Sequence, residues 1–343
     1  MTVLRLGPLG ITTHRRTLAV GAALLAVVVV LVVLSLAVGR ANVGVLDSLR
    51  AAVGISVGAP GDFIVGQVRA PRVFTTALVG AMLGLAGAIL QSLTRNPLAS
   101  PDFIGISAGA GTGAVLTIVA IGGSSIWVTA AGAAAGGVAA AALIVTLSWR
   151  RGIVPLRLVL AGIGIGFVAQ AATQFLLTTM EIYQARDALV WLVGSTASRT
   201  WQHVALAAAL LAVLGSIALW HSRALRTLEM GDDAARALGI TVTRSRLVLT
   251  ACSVLLAAGA TAVVGPIAFV ALVAPAVAAR LTRHAGATLI PSALMGAAIL
   301  LTADLAAQHA TGALQLPVGI FTAAVGAPYL LWLVWRASRG GSA

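Results

Sequence analysis

Few side chains in this sequence could take part in chemistry. All 22 basic residues are arginine, so neither a phosphate-binding P-loop nor a Schiff-base site can be built, because each needs a lysine. The single cysteine, Cys252, and five histidines without ligand spacing predict no disulfide and no metal cluster. An intramembrane protease would need H-E-x-x-H, or a nucleophile and its histidine at membrane depth, and the sequence has neither. We therefore expect no catalysis by this chain and no bound cofactor.

Asp304 is the one acidic residue that the hydropathy pattern places well inside a predicted membrane span. An intramembrane carboxylate is a candidate functional group by default. A structural, hydrogen-bonded aspartate is equally compatible with the neighbouring Thr302 and Gln308. The hydropathy pattern places no basic residue within a span as a partner for Asp304. A proton-coupled carrier would therefore lack its usual relay of titratable residues.

The elements that must position these residues are membrane helices. The 343 residues are 59% apolar and 9% charged, with a mean hydropathy of +1.04, whereas soluble domains carry about 25% charged residues. The sequence predicts an all-α, polytopic membrane protein, a single transmembrane domain over 1–343 with about ten spans. These are approximately 17–38, 70–91, 104–121, 126–148, 156–179, 203–221, 247–264, 267–282, 287–307 and 317–335.

The arginines predict the orientation of the chain. An even number of spans puts both termini on one side, and sixteen arginines fall on that side. The six on the other side are Arg40, Arg50, Arg69, Arg72, Arg186 and Arg199. Basic loops mark the cytoplasmic face, so we expect cytoplasmic termini and a first helix that is retained rather than cleaved. The net charge of +13 then reflects membrane orientation and does not indicate a nucleic-acid partner.

A stretch rich in glycine and proline joins the second and third spans. Pro97 and Pro101 bar a continuous helix, and Asp102 is expected to cap the following one. Gly80, Gly84 and Gly87 lie near one helix face, which predicts close helix packing. The four glycines between positions 105 and 113 leave two possibilities open: very close packing, or a helix broken beside a pathway.

Two polar features lie at the ends of the spans. Arg69 and Arg72 flank a proline on the outer side, where arginines either extend to lipid headgroups or offer a cationic pair to an acidic partner protein. The longest cytoplasmic segment, 222–246, has Asp232 and Asp233 early and Gly239 as a helix stop. Such a helical segment between spans predicts a docking surface.

These blocks together resemble the FecCD-type permeases of ATP-binding-cassette importers, which take up ferric siderophores, haem and vitamin B12. The resemblance covers the chain after its first helix. It is carried by GAMLGLAGAILQSLTRNPLASPDFIGISAGAG, RAPR, LEMGDDAARALG, GPIAFVALVAP and LPVGIFTAAVGAPYLLWL. It implies a type II ABC importer permease fold in the cytoplasmic membrane, paired with a second permease, two ATPase subunits that hold ATP and Mg, and an extracytoplasmic binding protein.

The resemblance also assigns site residues. Those that would dock the binding protein are Arg69 and Arg72. Those that would couple to the ATPase are Leu228, Gly231, Asp232, Ala235, Leu238 and Gly239. Those that would lie along the translocation pathway are Asn96, Pro97, Ser107, Gly109, Gly113 and Gln170. Asp304 would be a structural acid within the membrane.

Three positions depart from the family pattern: Ala276 replaces a histidine, Gln315 an acid, and Gln308 an arginine. The segment VWLVGSTASRTW at 190–201 resembles the corresponding segment of the second permease in two-permease ferric-catecholate systems. It favours a siderophore as cargo and a paralogous permease as partner over a homodimer. Vitamin B12 and haem are the alternative cargoes, and an ion-coupled carrier or channel is the alternative class.

Overall fold

The computed structural model describes residues 2–340, except 7–8, 14, 40–43, 53, 57, 102–104, 122–125, 149–154, 284–285 and 311–315. Asp102, predicted to cap a helix, and Gln315 lie outside the described residues. Ten helices correspond to the ten predicted spans. They are α1 (Arg15–Ala37), α4 (Ala70–Thr94), α5 (Ile106–Ile121), α6 (Ile126–Ser148), α7 (Pro155–Thr178), α9 (Trp201–Trp220), α12 (Val242–Val264), α13 (Val270–Thr282), α14 (Leu289–His309) and α15 (Val318–Gly340).

Within the described ranges, seven helices are long and apolar enough to cross a membrane. The remaining three of the ten, α5, α13 and the apolar part of α15, are shorter. Helices prevail because hydrocarbon offers no water to satisfy backbone N–H and C=O groups, which must therefore bond within each segment. The all-α polytopic fold predicted from the sequence is confirmed.

Short elements connect the spans. On the predicted outer side lie α2 (Val45–Ala52), α3 (Ala59–Phe63), a π-helical turn (Ile64–Arg69) that leads into α4, and α8 (Ile182–Val193). On the predicted cytoplasmic side lie α10 (Ser222–Glu229) and α11 (Asp232–Ala237). An antiparallel hairpin, β1 (Thr2–Leu6) with β2 (Leu9–Thr13), precedes α1. The hydropathy pattern does not predict this hairpin, because a span-length window does not detect five-residue strands.

The helix α4 forms the centre of the fold, and it packs against α9, α12, α13 and α14. A Cβ atom on Gly80 or Gly84 would meet the α14 backbone at Gly296 or Ser292, and one on Gly87 would meet the Ala271 carbonyl of α13. Without a hydrophobic driving force between helices in lipid, such close backbone approach is what holds them together. The close packing predicted for these glycines is confirmed.

Close backbone contact at glycines also joins α5 to α6 and α7. Gly109 and Gly113 lie against the α6 backbone at Gly136 and Gly132, and Gly105, with φ +76°, lies against Gly162 and Gly166 of α7. The helix α5 is continuous from Ile106 to Ile121. Of the two possibilities that the sequence left open for this stretch, the structure shows close packing.

We predict that Gly84→Ala destabilises the chain by about 1–3 kcal/mol, because the added methyl group would overlap the Ser292 carbonyl of α14. The matched control is Gly21→Ala in α1, where a Cβ meets nothing within 4 Å and alanine favours the helix. Thermal unfolding of the purified protein in detergent measures both. An unchanged melting temperature for Gly84→Ala would show that α4 and α14 are not in this contact.

Candidate functional site

A buried ion pair joins the first turn of α4 to the C-terminal part of α14, at the ends predicted to face outward. The Asp304 carboxylate is 1% exposed and accepts hydrogen bonds from Nη2 of Arg72 at 2.8 Å and from Nε at 3.2 Å. Thr196 Oγ1 donates to it at 2.6 Å and Gln308 Nε2 at 2.8 Å. The expectation that Asp304 has no basic partner within a span is therefore wrong. Its partner is 232 positions away in the sequence. The residues around Asp304 therefore give no sign of which basic residue it binds.

Arg69 stands one helical turn before Arg72 and caps a different helix. Its Nη1 donates to the Leu36 carbonyl at 2.9 Å and to the Ala37 carbonyl at 3.4 Å, so a cation sits at the negative end of the α1 dipole. Both arginines that were predicted to dock a binding protein thus have partners within the chain. Their docking role stays a prediction, and Arg72 has in addition a structural role.

The segment between α8 and α9 carries Thr196 and is held by backbone contacts. The Ser195 N–H donates to the Val264 carbonyl at 2.8 Å, and the Gly319 N–H donates to the Gly194 carbonyl at 3.2 Å. Gly194, with φ +79°, lies against the Pro266 carbonyl. The Asp304 cluster therefore ties α4 and α14 to the point where the ends of α8, α12 and α15 meet.

Arg199 follows in the same segment. Its guanidinium donates to the Ser195 carbonyl at 3.0 Å, and burial lowers its pKa to about 10. It therefore remains cationic at neutral pH. Thr196 and Arg199 are site residues that the sequence analysis missed, whereas Gln308 had been named as a polar neighbour of Asp304. The spacing of Asp304 and Gln308, four residues apart on one helix, was the only local signal.

The predicted pathway residues fall into separate places. Asn96 and Pro97 line a cavity of about 330 Å³ just beyond the C-terminal end of α4. Ser107 is half-buried in α5 and Gln170 is exposed on α7. Gly109 and Gly113 lie in the α5–α6 contact, and their pathway role stays a prediction. The structure does not bring these six residues together in one site.

The predicted coupling residues do form one unit. Leu228 and Ala235 are buried, whereas Leu238 is exposed. Gly231, with φ +120°, separates α10 from α11, and Gly239, with φ +79°, follows the end of α11, as a helix-stopping glycine should. Asp232 begins α11 and binds arginines of two other helical regions, Arg95 and Arg246.

The fold and these two sites define a multi-pass α-helical permease domain. In the described part of the chain, no group of three or more His, Cys, Asp or Glu side chains could hold a metal ion. The chain belongs to the FecCD transport family, whose model matches residues 27–336.

Comparisons with individual proteins agree with this assignment. The chain is 41% identical to the ferric enterobactin transport system permease protein FepG of Escherichia coli (strain K12), over 80% of this chain and 83% of that one. It is 34% identical to the vitamin B12 import system permease protein BtuC of Escherichia coli O6:H1, over 81% and 86%. A solved structure described as an inward-facing metal-chelate type ABC transporter matches with a TM-score of 0.80 and 28% identity, over 93% and 99%. The chain is thus a permease of the ABC importer type.

We predict that Asp304→Asn destabilises the protein by about 3–5 kcal/mol, because it leaves the largely buried guanidinium of Arg72 without a counter-charge. The control is Asp47→Asn, since the Asp47–Arg50 pair is half-exposed at 4.0 Å and contributes less than about 1 kcal/mol. Thermal unfolding measures both. A loss no larger for Asp304 than for Asp47 would contradict the buried pair.

Proposed function

We propose that this chain is the permease subunit of an ATP-driven importer that moves a ferric siderophore across the cytoplasmic membrane. The observation that carries the proposal is the 41% identity to a ferric enterobactin permease over four-fifths of the chain. The 34% identity to a vitamin B12 permease supports vitamin B12 as the second candidate cargo. Haem was the other alternative of the sequence analysis, and the siderophore is the one we favour.

The exposed faces of α7 and α8 support a second permease as partner. Phe167, Val168 and Phe175 on α7, and Ile182 and Tyr183 on α8, are large and strongly exposed. Exposed apolar side chains of a membrane helix face lipid or a partner subunit, and the polar Gln170 among them on α7 favours a partner, because polar groups within the membrane face protein or a water-filled cavity. We propose that this face meets a paralogous permease, or a second copy of the chain, and that Gln170 borders the pathway between them.

ATP hydrolysis belongs to separate ATPase subunits in this proposal, because a chain without lysine cannot build a P-loop. The segment 222–246 is the proposed ATPase-binding surface. Met230 and Leu238 extend from it with large exposed apolar side chains, suited to a groove on a partner protein. This segment, and with it both termini, would face the cytoplasm, in agreement with the distribution of arginines.

We expect a strain that lacks this gene to lose uptake of a ⁵⁵Fe-labelled catecholate siderophore, and a plasmid copy to restore it. Labelled cyanocobalamin uptake in the same two strains is the control for substrate class. Equal siderophore uptake with and without the gene would overturn the proposed cargo. Loss of cyanocobalamin uptake alone would assign the vitamin instead.

We expect Arg69→Gln to weaken binding of the extracytoplasmic binding protein by about tenfold, and to reduce the salt dependence of binding, because a cation is removed from the proposed docking surface. Arg50→Gln is the matched control, an outer arginine that is exposed on α2. Affinity is measured with the permease complex in nanodiscs at two salt concentrations. Equal affinities for the two variants would exclude a docking role for Arg69.

A further inference from the structure

Asp232 stands where three parts of the cytoplasmic side meet. Its carboxylate accepts two hydrogen bonds from Arg246 of α12, at 2.8 Å from Nη2 and 3.2 Å from Nη1. It accepts a third from Nη2 of Arg95, at 3.3 Å. Arg95 follows the last residue of α4 and also donates to the Leu228 carbonyl of α10 at 2.9 Å. One carboxylate therefore links α11 to both α4 and α12.

The link between Asp232 and Arg246 is the stronger of the two. The hydrogen bonds from Arg246, with Arg95 and Arg236 nearby, lower the pKa of Asp232 although burial opposes the shift. The carboxylate is thus ionised at cytoplasmic pH. Its 2.8 Å bond from Arg246 is charge-assisted and about twice as strong as a neutral one, whereas the 3.3 Å bond from the half-exposed Arg95 is weaker. The side chain of Arg246 is only 12% exposed, so water competes little for its bond to Asp232.

The neighbouring acid, Asp233, does not connect α11 to other helices. Its side chain is fully exposed, and it pairs with Arg236 of the same helix at 2.7 Å. The two adjacent aspartates therefore differ in the helices to which their ion pairs connect α11. Asp232 connects α11 to two other parts of the fold, whereas the ion pair of Asp233 stays within α11.

Beside this link the protein is not tightly packed. The 330 Å³ cavity is lined by Arg95 and Glu229 together with Pro275, Ala279 and Thr288. The end of α10, at Glu229, therefore adjoins open space that α13 and the start of α14 also line. By contrast, α10 packs against α4 and α12. A displacement of α10 and α11 has room to occur toward α13 and α14, and it would draw α4 and α12 with it.

We propose that Asp232, held by Arg95 and Arg246, transmits displacement of the coupling helices α10 and α11 to α4 and α12. This inference rests on the proposed importer function. The helix α4 runs without interruption for 25 residues, roughly 38 Å, and carries Arg72 in its first turn. A shift at its inner end thus reaches the Arg72–Asp304 pair at its outer end. Arg95 and Arg246 are positioning residues in this scheme, since they act through Asp232.

The test is the ratio of substrate imported to ATP hydrolysed, in proteoliposomes that contain the complete transporter and its binding protein. We expect Asp232→Asn to lower this ratio by about tenfold or more. Asp233→Asn removes the same charge one residue away on the same ATPase-binding segment, so a loss of contact with the ATPase affects both variants, and the linking role of Asp232 is measured as its additional loss relative to Asp233→Asn. Asp232→Glu, which keeps the charge, should retain most of the wild-type ratio.

A merely structural role for Asp232 would reduce the amount of folded transporter and would leave the ratio intact. If Asp232→Asn does not yield a folded complex, Arg95→Gln removes one of the two links, leaves the Arg246 bond, and should still lower the ratio. Equal ratios for the folded Asp232 or Arg95 variant and for Asp233→Asn would overturn the inference. A wild-type complex that hydrolyses ATP but imports no substrate would instead contradict the proposed function.

Discussion

The contact between α4 and α14 is the one on which the rest of the fold depends. At Gly80, Gly84 and Gly296 the two backbones approach until no side-chain atom fits between them. An apolar helix surface gains no hydrophobic free energy when it exchanges contact with lipid for contact with another helix. Short-range dispersion and interhelical polar bonds must therefore hold the helices together. Small residues permit both. They bring the helices close enough for Arg72 to reach Asp304. The spans α1, α9, α12, α13 and α15 pack against one or both of these helices, and α5 and α6 join them through α12.

That ion pair is costly to bury and is therefore fully satisfied. Two charges removed from water are stable only if geometry and additional hydrogen bonds compensate for lost hydration. Here Thr196 and Gln308 supply the additional donors. Gln308 is a neutral donor, which suits a carboxylate that already has one cation. The network places the segment after α8 relative to α4 and α14.

The two polar clusters lie at opposite ends of one helix. In the first turn of α4, Arg72 meets Asp304, and just beyond its last residue Arg95 meets Asp232. The interior of α4 is almost entirely buried among its neighbours, so it is supported along its length. An importer must relate events at its cytoplasmic surface to the opening of a pathway on the other side. A rigid helix with an ion pair at each end is a physical means of doing so.

The sequence by itself determined the class of this protein. Hydropathy predicted ten spans, the absence of lysine excluded a P-loop, and Gly80, Gly84 and Gly87 predicted close packing, because each depends on residue type or on spacing within one segment. Only the tertiary structure decided which groups meet. Asp304 and Arg72, like Asp232 and its arginines, are joined across helices that lie far apart in the chain. Local periodicity says which face a residue occupies, but the partner opposite that face is chosen by how the helices pack.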